Sequence, residues 1–147
     1  MQSKVRIVID FLAAVISCYV LACLFHSQFV LHELTKLGVE IDLMTRLNMS
    51  FEDIIGLLST YGSAIAVALL IAFVSVKLLS KVLSKRWQSM YPIAGALAIL
   101  VTLLTMHPIL EITLIAGART PLGVAMQGLA GLFGGWVFLH QRRNAAK

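Results

Sequence analysis

Polar and apolar positions along this chain do not alternate with the period of a half-buried helix or strand; they segregate. Apolar runs occupy 5–30, 54–79, 91–110 and 121–140, and all charged residues except Arg6, Asp10 and Lys77 lie between and beyond them. Each run is close to the ~20 residues that a helix rising about 1.5 Å per residue needs to cross about 30 Å of hydrocarbon. Helix is the expected form, because lipid offers nothing to satisfy backbone N–H and C=O groups and each segment must satisfy its own. The pattern predicts an all-α integral membrane four-helix bundle forming one domain over 1–147, with an outer amphipathic segment over 31–53. In that segment "VEIDL" alternates apolar and acidic residues and suits a strand or an interfacial helical turn equally. "SFED" predicts a helix start near Phe51, with Ser50 as cap, Asp53 reaching back, and Glu52 and Asp53 favouring the positive helix end.

Charge supplies direction. Lys4, Arg6, Lys77, Lys81, Lys85, Arg86, Arg142, Arg143 and Lys147 fall on one side of the four runs and leave only Lys36, Arg46 and Arg119 on the other. Glu33, Glu40, Asp42, Glu52, Asp53 and Glu111 lie with that minority, and Asp10 alone lies on the basic side. The excess of Lys and Arg on cytoplasmic loops then predicts both termini in the cytoplasm, in a membrane expected to be the bacterial inner membrane. Trp87, Tyr91 and Trp136 fall near the predicted interfaces, where amphipathic rings are favoured.

Composition agrees with lipid as the main solvent. The chain of 147 residues is 59% hydrophobic and 13% charged, against about 25% charged in a soluble domain. Its net charge of +5 flanks the apolar runs instead of forming an aromatic-interleaved patch, so no nucleic-acid partner is expected. Cys18 and Cys23 lie five apart on different faces of one helix, too distant to bridge each other. "VLAC" (Val20 to Cys23) loosely resembles a lipoprotein cleavage box. Asp10 interrupts the run before it and "LFHSQFVL" continues apolar after it, which favours a retained first helix.

Helices in lipid meet through small residues. The fourth run carries Gly128, Gly131, Gly134 and Gly135, with Gly131 and Gly135 in GxxxG spacing and Ala130 and Gly134 as a second, adjacent pair. The second run carries Ala64, Ala68 and Ala72, and the third begins with Ala94, Gly95, Ala96 and Ala98. These faces suit packing within the bundle. The glycine face of the fourth run also suits docking of a second copy or a larger membrane partner.

Ionisable groups inside a membrane are costly and draw functional suspicion. Asp10 is near the cytoplasmic end, where it can be hydrated or pair with Arg6. At the outer end, His26 and Glu33 are seven apart on the first helix, and His107 and Glu111 are four apart on the third, each pair on one helical face. Arg119 sits in the short turn that follows, and Gln127 two turns further in. Three readings compete for this set. It can anchor helix ends at the interface, with Pro108 closing the third helix and Glu111 pairing with Arg119. It can form an outward pocket for a small ligand, a lipid headgroup or a transition metal, since imidazole and carboxylate are usual ligands. Or His26 and His107 can hold a haem. The expectation is the first, with no cofactor. No nucleophile motif or phosphate loop is present, so a catalytic role is not expected; the alternative of that class is a lipid-directed enzyme using His26 or His107 as base. Small multidrug transporters are similar in having four short helices, but they need a carboxylate deep in the first helix, where this chain has Cys18 and Tyr19; no family is assigned. The leading expectation is a non-catalytic component of a membrane assembly, and the alternative is an outward binding or transport site built from His26, Glu33, His107, Glu111 and Arg119.

Overall fold

In a computed structural model of the chain, the residues described are 4–38, 40–83, 85–110 and 120–145, the side chains at 85, 86 and 106–110 excepted. The elements run α1 (Lys4–Lys36), α2 (Leu43–Gly56), a π-helical turn (Leu58–Gly62), α3 (Ser63–Val82), a 3-10 turn (Lys85–Met90), α4 (Tyr91–Leu110) and α5 (Pro121–Asn144). No strand occurs among the described residues. Four stretches are long and apolar enough to cross a membrane: Lys4–Lys36, Leu58–Val82, Trp87–Thr105 and Pro121–Asn144. α1 has 33 residues and so extends ~50 Å at 1.5 Å per residue, well beyond the hydrocarbon. α5 starts where Thr120 accepts from the Gly123 amide at 3.0 Å, with Pro121 in the first turn, where its missing N–H costs nothing.

The outer segment departs from the expectation in two ways. Its helix begins at Leu43, not near Phe51, because Asp42 provides an earlier cap, accepting from the Thr45 amide at 2.9 Å. Ser50 is therefore mid-helix, and its hydroxyl donates back to the Arg46 carbonyl at 2.9 Å. Asp53 caps nothing; its carboxylate faces α1. The Asp42 carboxyl is held below the usual carboxylate range by hydrogen bonding from Thr45. A carboxylate lowered in this way stabilises the fold above its unfolded value and loses that contribution as pH falls through its folded value. Protection of the Thr45 amide, measured by hydrogen exchange relative to its intrinsic rate, is expected to fall below about pH 3.9. Asp42→Asn should flatten that dependence. Protection in the native chain that ignores pH would show that the cap does not need an ionised carboxylate.

α5 is the centre of the packing, lying along α1 on one side and α4 on the other, while α3 packs on α4. Its two small-residue pairs face different neighbours. A methyl group built on Gly131 or Gly135 would strike α4 backbone, at the carbonyl oxygens of Gly95 and Tyr91 respectively. One built on Gly134 would lie 2.8 Å from Cys18 Cβ and 3.0 Å from the Ala14 carbonyl oxygen of α1. Ala130 shares the α1-facing stripe and is fully buried. On α3 the buried stripe is Ile65, Leu69, Phe73, Val76 and Ser80; Ala64, Ala68 and Ala72 flank it, half-buried.

Towards the end of the bundle where α1 begins and α5 ends, Phe73 stacks on Phe138 at 4.5 Å, and Tyr91 packs edge-on to both at 5.4 and 4.9 Å. Lys4, Arg6, Lys77, Lys81, Arg142 and Arg143 lie towards that end, so the basic and acidic ends separated by sequence are also opposite ends of the fold. Outward faces are apolar on every helix, as Ile16, Ile71, Val101 and Leu129 show with half or more of their surface exposed. In water such a belt would be untenable; against lipid it is the expected exterior.

Candidate functional site

The polar side chains that the structure gathers lie between α1, the α2–α3 junction and α5. Their arrangement begins with a backbone irregularity. Where α2 meets α3 the chain makes a π turn, with the Gly62 amide donating to the Leu57 carbonyl at 3.1 Å. Turns of this kind widen the helix and often accompany functional positions. Here the irregularity has two partners. Tyr19 of α1 donates to the Ile54 carbonyl at 2.6 Å, just before the turn. Tyr61, inside the turn and 2% exposed, donates to Gln127 Oε1 of α5 at 2.9 Å. Gln127 then donates through Nε2 to the Ala22 carbonyl of α1 at 3.0 Å. One buried amide thereby links three helical segments, and its acceptor and donor are both engaged.

One to two turns further out on α1, Ser27 Oγ lies 2.6 Å from Asp53 Oδ2 and 3.0 Å from the Cys23 carbonyl oxygen. The shorter contact to the carboxylate takes the hydroxyl proton, as a charged acceptor is the stronger one. His26 is adjacent and buried, within the electrostatic reach of Asp53. Gln28 accepts from Arg46 at 3.3 Å. The acid that α1 meets at this depth is thus Asp53, which the sequence argument had set aside as a helix-starting residue.

Of the five residues proposed from sequence, the side chains of His26 and Glu33 are described, and they lie in different surroundings. His26 is buried between helices, whereas Glu33 is turned outward and pairs with Lys36 at 2.9 Å, both side chains more than half exposed. His107 lies on α4, but its side chain is outside the described residues, as are Glu111 and Arg119. Among the described residues, no three His, Cys, Asp or Glu side chains come together as a metal-binding group. Cys18 and Cys23 are free and buried. The residues missed as a set, Tyr19, Ser27, Asp53 and Tyr61, had a signal: each is a polar residue in or beside an apolar run, where hydrogen bonding across helices is the usual reason for retention.

No protein-family model, curated protein or solved structure matches the chain. The class defined is a small helical membrane protein with four candidate spans.

Proposed function

We propose that the chain is a non-catalytic component of a membrane assembly, resident in a bacterial inner membrane with both termini in the cytoplasm. The observation that carries this is the engagement of Gln127, Tyr61, Tyr19 and Ser27 with partners on other helices. These polar groups act as struts. Clustering of Lys and Arg at the end shared by the α1 start and the α5 end supports the orientation.

Because the glycines of α5 are occupied by α1 and α4, the face we assign to a partner, a second copy or a larger subunit, is the opposite one. It carries Leu129, Leu132, Phe133 and Trp136, all 41% or more exposed, with the rings of Phe133, Trp136 and His140 stacked at 5.7 and 5.3 Å. Native mass spectrometry of the protein released gently from its own membrane is the test. The expected result is a homo- or hetero-oligomer that a Phe133→Ala/Trp136→Ala chain no longer forms. A bare monomer from unmodified membranes would overturn the assembly role.

A second reading keeps the outward site for a small ligand, lipid headgroup or metal, because His26, Ser27 and Asp53 converge at the outer part of α1. In that site Asp53 takes the place first given to Glu33, and His107, Glu111 and Arg119 would complete it. In the same spectra, a metal, haem or lipid adduct lost on His26→Ala would favour this reading.

A further inference from the structure

At the basic end of the bundle, a cavity of about 470 Å³ between α1 and α5 is lined by Val5, Arg6, Ile9, Asp10, Gln141 and Asn144. The volume falls within the roughly 300–1,000 Å³ usual for small-ligand sites. Asp10 is 3% exposed, and its Oδ2 is buried with no hydrogen-bond partner among the described residues. The pairing with Arg6 that the i, i+4 spacing suggests does not appear among the ion pairs described. An ionised carboxylate accepts and cannot donate, so this oxygen calls for an external N–H or O–H, and for a cationic one first.

We propose that this cavity binds a zwitterion carrying a primary ammonium and a phosphate, the headgroup chemistry of an aminophospholipid. The ammonium meets the Asp10 carboxylate, and the phosphate meets the Arg6 guanidinium, with the Gln141 and Asn144 amides as further polar contacts. Paired opposite charges in one cavity select a zwitterion over a simple cation or anion. Lipid is favoured over a soluble source by what adjoins the cavity. Val5 and Ile9 of its lining continue along α1 into Leu12 and Ile16, spaced at four, three and four residues. All four are at least 51% exposed. That is a helical stripe along which an acyl chain can lie. This inference is independent of the assembly role proposed above and survives its failure.

The test is native mass spectrometry of the delipidated full chain in detergent, titrated with lipids of identical acyl chains. The headgroups are ethanolamine, its mono-, di- and trimethylated forms, and glycerol. Binding should persist while an N–H donor remains and fall by about tenfold at the third methyl, the loss of one charge-assisted hydrogen bond. Asp10→Asn should abolish that step, Arg6→Gln should weaken all phosphate headgroups alike, and Lys81→Gln, which changes charge at the same end but outside the cavity, should do neither. Free phosphoethanolamine that competes as well as the lipid would uphold the site and assign it a soluble ligand. Equal binding of ethanolamine and choline lipids by the native chain would overturn the proposal, and that comparison needs no variant to fold. A step at the third methyl that survives in folded Asp10→Asn would overturn it too.

Discussion

Gly135→Ala should separate α4 from α5 and cost about 3 kcal/mol of bundle stability, at the upper end of what overpacking usually costs. The added methyl would meet the Tyr91 carbonyl oxygen, and Pro92 Cα at 2.7 Å. Both are α4 backbone, and no side-chain rotation can move them. Gly131→Ala should behave alike, since its methyl meets the Gly95 carbonyl oxygen and also Ile99 Cγ1 at 2.7 Å. Gly128→Ala is the internal control. Its methyl would lie 3.2 Å from the tip of Leu100, a side chain able to shift, and alanine is better than glycine in a helix by about 1 kcal/mol. Its net effect should be within about 1 kcal/mol of zero. Unfolding of each variant in a denaturing-detergent titration, followed by tryptophan fluorescence, reads the difference. Equal midpoints for Gly135→Ala and Gly128→Ala would mean that the α4–α5 seam is not built on glycine contact.

This seam shows what sequence could and could not yield. The glycine pairs were legible because spacing of four, and the offset of one between the pairs, is a property of the chain. Their partners were not, because nothing local says that Gly131 and Gly135 meet α4 while Gly134 meets α1. The spans were legible for the same reason as the pairs: a run of apolar residues carries its own length. On α3 the alanine spacing pointed beside the buried stripe, since half-exposed alanines and buried Leu69 and Phe73 are equally apolar and only the neighbour's position distinguishes them.

Within the outer set, His26 and Glu33 part company for a more specific reason. His26 and Glu33 do share a face of α1, as their spacing requires. But the covering of that face ends between them: His26 is buried, whereas Glu33 is exposed and pairs with Lys36. Periodicity fixes azimuth and says nothing about how far a neighbour reaches. The acid at the right height arrived from another segment, Asp53, through a helix that starts eight residues earlier than "SFED" suggested. That shift followed from Asp42 and Thr45, a cap that was present in the sequence and outweighed by the stronger-looking Ser and Asp pair downstream.

Tyr61 and Gln127 give the second large effect, and their coupling separates a strut from a site. Tyr61→Phe leaves Gln127 Oε1 without its donor in a side chain only 1% exposed. Gln127→Leu leaves the Tyr61 hydroxyl without its acceptor and removes the link to Ala22. Each orphaned buried group costs about 1–3 kcal/mol, although interhelical hydrogen bonds in membranes average only about 0.6 and reach about 1.7 kcal/mol in measured coupling. We therefore expect about 1 kcal/mol for Tyr61→Phe and about 2 kcal/mol for Gln127→Leu. The double variant should cost hardly more than Gln127→Leu alone, because no polar group is then stranded at the pair and the Ala22 carbonyl keeps its helical bond. A double-mutant cycle on the unfolding free energies measures this directly. Additive losses would mean that the two side chains are not partners. Full stability in either single variant, together with loss of the oligomer or of a bound ligand, would mean that the pair serves recognition and not cohesion. The non-additive result is expected because the amide has a partner at both ends: a ligand-binding group would have kept one end for the ligand.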